Sequence, residues 1–253
     1  MHKFSIKNKV LFVTGAGRKN GIGQALVHEA IKRGAKKIYA TARKPSHLQQ
    51  LKEVFDKRVV PVNLDVTRLD HIQKAASKAS DTQVLINNAG VIAVSRCVKG
   101  YNERAAREEM EINYFAPLHL MRAFSPHLVA NVSGAIVNVV SIGSLVPSPA
   151  HVTYSASKAA LYSLTQAARR EMRTHSLPVF GVYPGPTDTD TTNNITIRKA
   201  SPCNIAKRIF DGMEAGIMDI TTDIISDHFR GYLEHDPNAL AALKMELRGL
   251  SIR

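Results

Sequence analysis

The chain is poor in the residues and runs that mark secreted, metal-binding or membrane-spanning proteins. It has only two cysteines, Cys97 and Cys203, far apart and without the close pairing that a zinc site needs. No metal is therefore expected, and in a reducing compartment both thiols should stay free. No apolar run approaches the roughly 20 residues that cross a bilayer. The opening MHKFSIKNKVLFVTG has no apolar stretch leading into a small-residue cleavage site. These absences give a cytoplasmic expectation with no membrane partner. Acidic residues are also in deficit, 21 against 34 Lys and Arg, for a net charge of +13. The basic residues are scattered rather than blocked, which reads as a solvated surface and not as a nucleic-acid footprint. Attraction of an anionic ligand is the alternative use of such a charge.

What is present is an alternation. KVLFVTG (9–15), KKIYATAR (36–43), VVPVNLDV (59–66), QVLINNAG (83–90), GAIVNVVSI (134–142) and PVFGVYPG (178–185) are short β-rich runs separated by helical patterns. One helix is expected near 68–80, and long ones around 102–130 and 154–175. Strands apolar on both faces and separated by helices indicate a parallel sheet covered on both sides. The expectation is an α/β, doubly wound, Rossmann-like three-layer sheet of about seven strands. There is no repeat, low-complexity tract or linker, so residues 1–253 read as one domain.

TGAGRKNGIG (14–23) falls between the first strand and the first helix. Glycines there let the backbone approach a pyrophosphate, and free N–H groups at the helix start favour its charge. A Gly-rich turn alone is weak evidence, because such turns also serve ordinary connections. The second strand ends YATARKP with no carboxylate to accept from an adenosine ribose. Arg43 can instead pair with a 2′-phosphate, which favours NADP(H) over NAD(H). Arg18 either reaches that phosphate or points into water.

Tyr154 and Lys158 are spaced i, i+4 and share a helix face. A phenol ionises near ~10, and a neighbouring ammonium brings it toward a usable range. Among seven tyrosines this spacing alone carries little information. It is joined by LDVT (64–67), NNAG (87–90), Asn113 in EINYFAP, Ser141 in NVVSIGS, YSASK (154–158) and PGPTDT (184–189). Taken together and in this order, over about residues 8–225, these motifs resemble the short-chain dehydrogenase/reductase family.

The resemblance implies an enzyme that interconverts a carbonyl and an alcohol, with a small-molecule substrate. Tyr154 would be the acid/base, Ser141 would hydrogen-bond the reacting oxygen, and Lys158 would tune Tyr154 and bind the nicotinamide ribose. Asn113 would hold a water that links Lys158 to solvent. Gly15, Gly21, Ile22 and Gly23 would line the pyrophosphate turn, with Asp65 and Val66 at the adenine. Asn87, Ala89 and Gly90 would flank the cofactor, and Pro184, Gly185 and Thr187 would meet its carboxamide end. The resemblance also implies a homodimer or homotetramer paired through the two long helices.

Two features depart from the family pattern. Two additional residues separate Gly15 from Gly21, and Ser144 is a second hydroxyl near Ser141. The stretch from about 188 to 212 corresponds to the family's substrate lid, and its polar composition suits a polar substrate or simply solvent. Leu145, Val146, Pro147 and His151 are candidates for an apolar wall of the pocket. The C-terminal stretch is amphipathic from Asn238. Two other readings compete: a cofactor-binding scaffold without turnover, and a basic nucleic-acid-binding protein.

Overall fold

Alternation along the strands decides which residue faces which layer, and β1 (Val10–Val13) shows it most simply. Leu11 and Val13 point into one apolar cluster, Val10 and Phe12 into the other. The remaining strands are β2 (Lys37–Ala42), β3 (Val59–Asn63), β4 (Val84–Asn87), β5 (Ala135–Val139), β6 (Val179–Tyr183) and β7 (Asp219–Thr221). The computed structural model describes residues 3–98, 100–131, 133–188 and 199–235. Residues 189–198 of the expected lid, Arg198 among them, and the amphipathic stretch from Asn238 lie outside the described residues.

All strand pairings are parallel, in the order β3-β2-β1-β4-β5-β6-β7. Helices α1 (Ile22–Lys32), α2 (Pro45–Val54) and α7 (Pro202–Ala215) cover one face, contributing Leu26, Leu51 and Phe210 to its core. The opposite face is covered by α3 (Leu69–Lys78) and α5 (Ala116–Ala130), through Ile72, Leu120 and Phe124, and by α6 (Val152–Glu171). The expected three-layer sheet is thus formed. Order reverses between β1 and β4, which opens a crevice at the strands' carboxyl ends.

The helical stretch expected at 102–130 is not continuous. It consists of α4 (Glu103–Met110), a π-helical turn over Glu111–Phe115, and α5. The π turn, marked by Ala116 N–H donating to Glu111 O, contains Asn113. Such turns shift the face a helix presents and recur at functional sites.

A buried polar ladder crosses the sheet beneath the crevice. Asn87 Nδ2 donates to Asn138 Oδ1 at 2.8 Å, and Asn138 Nδ2 donates to Thr165 Oγ1 on α6 at 3.0 Å. Thr165 Oγ1 in turn donates to Leu161 O at 2.7 Å. Removing one member strands buried partners. Asn138→Ala is therefore expected to lower stability by about 1–3 kcal/mol, read as a lower urea midpoint. The Asn87→Ala/Asn138→Ala double variant should lose less than the sum of the singles; an unchanged midpoint for Asn138→Ala would show that the ladder carries no weight.

Candidate active site

The nucleotide end is built by close backbone approach. Gly15 has φ +72°, and a Cβ there would lie 2.8 Å from Ala89 Cα. A Cβ on Gly23 would come 2.4 Å from Gly15 O. Thr14 Oγ1 accepts from the Asn88 and Ala89 amides at 2.9 and 3.0 Å, which ties the turn after β1 to the NNAG segment after β4. Gly15 N donates to Thr41 Oγ1 of β2 at 3.3 Å. The helix α1 starts at Ile22 with no side chain capping it, so its first N–H groups are available to an anion. The lengthened loop folds its extra residues into a turn, with Gly21 N donating to Arg18 O at 3.1 Å. Arg18, Lys19 and Asn20 on that turn are exposed.

At the end of β2, Arg43 and Lys44 are exposed. Asp65 accepts from Thr67 N at 3.1 Å and from Thr67 Oγ1 at 2.8 Å. Burial raises the Asp65 pKa, but those two bonds and the charges of Arg43 and His71 outweigh it, and the net direction is down. Arg43 and Asp65 are thus brought together, with Val66 buried beside them. His47, unmarked in the sequence, stands over Gly17: a Cβ there would meet its Nδ1 at 2.7 Å.

The catalytic candidates converge across the crevice. Ser141 leaves β5 in extended backbone and caps a short 3-10 turn, its Oγ accepting from Gly143 N at 3.0 Å. That leaves its hydroxyl proton free, on the side where Tyr154 also comes close to Gly143. The Ser144 hydroxyl donates to Ser141 O at 2.6 Å. Burial pushes the Tyr154 pKa up, Ser141 pulls it down, and the Glu109 charge adds to the rise, for a net upward shift. Lys158 is 4% exposed, with Nζ donating to Val139 O at 2.8 Å and lying 5.8 Å from the Tyr154 ring centroid. Burial lowers its pKa from 10.5 to about 8.

Asn113 is fully buried, and its side chain is committed to protein. Its Oδ1 accepts from Val91 N at 3.0 Å, and its Nδ2 donates to Val91 O and to Ser157 Oγ, both at 2.9 Å. It pins the segment after β4 against α6. A Cβ on Gly90 would lie 3.2 Å from Asn113 Oδ1 and 3.6 Å from Lys158 Nζ, so the backbone there passes close to both side chains. Of the expected apolar wall, Val146 packs with Ile142, Leu145 and Ile225.

The Pro-Gly turn closes the far side. Ile142 N donates to Pro184 O at 3.0 Å, which joins the Ser141 loop to this turn. Thr187 is buried, its Oγ1 donating to Gly185 O at 3.1 Å. Gly185 N donates to Asp223 Oδ2 at 2.8 Å, and Asp223 also accepts from Ser226 N at 2.9 Å, at the start of α8 (Ile224–His235). Asp223 was not foreseen, although the Asp-x-x-Ser spacing before a helix is a recognisable cap. Cys97 and Cys203 are free and exposed, and no metal-binding group occurs among the described residues.

Two outcomes follow. Asp223→Ala should release the Gly185 turn, raising KM for the cofactor more than it lowers kcat; an unchanged KM would remove Asp223 from the site. Lys158 binds protons more weakly folded than unfolded, so between pH 8 and 10.5 its contribution to stability rises with pH. Lys158→Met should therefore melt higher than the native chain at pH 7 and show a flatter rise across that window. Parallel melting curves would contradict the buried ammonium.

The short chain dehydrogenase family model matches residues 9–200. The chain is 31% identical to a short-chain dehydrogenase of Penicillium crustosum over 192 residues, covering 73% of this chain and 68% of that one. It is 28% identical to an uncharacterised oxidoreductase of Staphylococcus epidermidis over 211 residues, 81% of this chain and 90% of the other. A short-chain dehydrogenase of Burkholderia cenocepacia J2315, solved in complex with NADP, superposes with a TM-score of 0.88 at 38% identity. That alignment covers 94% of this chain and 98% of that structure.

Proposed function

The chain belongs to the short-chain dehydrogenase/reductase family, and from that premise we propose an NADP(H)-dependent oxidoreductase that interconverts a carbonyl and an alcohol. The observation that carries this reading is the meeting of Ser141, Tyr154 and buried Lys158 at the mouth of the crevice beside Gly90. The cofactor, when bound, supplies or accepts the hydride. Tyr154 donates its phenolic proton to the carbonyl oxygen, or takes the alcohol proton in the reverse direction. Ser141 holds that oxygen through its free hydroxyl proton, and the Lys158 ammonium favours the phenolate left after transfer.

The remaining residues hold the nucleotide. Gly15, Gly21 and Gly23 leave the room, and the uncapped start of α1 the donors, for a pyrophosphate. Asp65 and Val66 take the adenine, and Lys158 the nicotinamide ribose. Thr187 takes the carboxamide. Arg43, with Arg18 on the exposed turn, faces the 2′-phosphate. The absence of a carboxylate at the end of β2 and the NADP held by the Burkholderia relative both support that choice. The same reading makes the chain a cytoplasmic protein of one domain, which the single sheet supports, and a homo-oligomer, which exposed apolar Phe115 and Val129 on the long-helix side support.

Tyr154→Phe should reduce turnover about 10²–10⁴-fold while cofactor affinity is kept, in a panel of ketones, aldehydes and alcohols followed by nicotinamide absorbance. Undiminished turnover would overturn the mechanism. Arg43→Leu should weaken NADPH about 10- to 100-fold and leave NADH unchanged. Equal binding of the two cofactors by the native chain would end the NADP(H) assignment.

A further inference from the structure

Helices α1 and α2 cover the same face, and each returns the chain from one parallel strand to the start of the next, so they run in the same direction. Their far ends meet where His28 of α1 packs against Phe55, the residue that ends α2, with ring centroids 4.5 Å apart. His47 lies two turns of α2 before Phe55, about 12 Å nearer the crevice. It therefore stands on the α1 side of its helix, at the level of the turn that follows β1.

The contacts of His47 agree with that register. The point where Gly17 lacks a Cβ is 2.7 Å from His47 Nδ1, 3.2 Å from His47 Cβ and 3.0 Å from Ala42 Cβ. Gly17 and Ala42 immediately precede Arg18 and Arg43. One residue earlier, Ala16 N donates to Thr41 O at 2.8 Å and ties the two segments together. The half-buried imidazole is thus seated where the chain segments that carry the two exposed guanidinium groups converge. Lys19 and Lys44 are the other cations of these segments, both exposed. Asp65, the carboxylate beside Arg43, is engaged by the Thr67 amide and hydroxyl.

The start of α2 offers an anion little backbone. Pro45 has no N–H, and His47 N and Leu48 N both donate to Lys44 O, at 3.1 and 3.2 Å. An anion at this end has to be held by side chains. Arg18 and Arg43 are long and exposed, and ordering them costs rotamer freedom. The imidazole has fewer rotatable bonds and is already packed, so a contact made through it loses less to ordering. Gly17 is outside the left-handed region, so its backbone would accept an alanine, and what a side chain there would meet is His47 and Ala42.

We propose that His47 is a specificity-determining residue for the cofactor: seated over Gly17 between the Arg18 and Arg43 segments, its imidazole donates to the 2′-phosphate that distinguishes NADP(H) from NAD(H). This rests on the NADP(H) reading of the site. Arg18 and Arg43 supply charge around the phosphate, and His47 supplies the donor whose place is fixed before the cofactor arrives.

The test is the ratio of NADPH to NADH affinity, each read from nicotinamide fluorescence, with a melting curve for every variant. A ratio taken within one protein is insensitive to a loss of active fraction. His47→Ala should weaken NADPH about tenfold and leave NADH within about twofold. Gly17→Ala, which keeps the imidazole but displaces it, should lower the ratio in the same sense. In the His47→Ala/Gly17→Ala double variant the second change should add little, because no imidazole is left to displace. A native chain that prefers NADPH, with that preference intact in His47→Ala, overturns the inference and leaves the NADP(H) assignment standing. Losses that simply add in the double variant also overturn it, since residue 17 then acts independently of His47. Equal binding of the two cofactors by the native chain removes the assignment and this inference with it.

Discussion

Lys158 carries an ammonium into a position where it is 4% exposed and where Val139 O is its acceptor, and much of the surrounding architecture follows from placing that charge. Taking an unpaired ion out of water costs several kcal/mol even after relaxation, so its neighbours must be arranged to use it. Gly90 brings bare backbone close to both Lys158 Nζ and Asn113 Oδ1. Asn113 reaches Val91 from a π-helical turn, and the phenol lies on the same helix one turn before the lysine. In the proposed mechanism a ribose and a phenolate would compensate this destabilised cation.

On α6 the phenol stands one turn before Lys158, whose Nζ lies 5.8 Å from its ring centroid, and Ser141 and Tyr154 both come close to Gly143. Specific backbone amides, those of Val91, Ala93 and Gly185, hold the parts in place. Each is received by a side chain from another element.

Much of this was legible in the chain itself, for identifiable reasons. Six strands were legible because their runs are short, apolar and β-rich, and alternate with helical patterns. Gly15, Ser141, Tyr154 and Lys158 stood out because their residue types are constrained by close approach or by chemistry. Other features were hidden by distance or by ordinariness. Asp223 lies 38 residues beyond the amide it receives, and Asn138 is paired with a residue 51 positions earlier. Glu109 belongs to ERAAREEMEINYF, where its neighbours are also charged and most of them face water. The π turn left no trace in a pattern read at 3.6 residues per turn, and β7 is three residues long.

The strand order has a consequence for biosynthesis. β1 is an interior strand, flanked by β2 and β4, yet it is made first, and its pairing Leu11↔Val84 awaits a partner more than seventy residues downstream. Emerging from the ribosome, β1, β2 and β3 can pair early, while the opposite edge of β1, VLFV, stays unprotected until the NNAG strand arrives. Of the interior strands, β1 thus waits longest for its second neighbour.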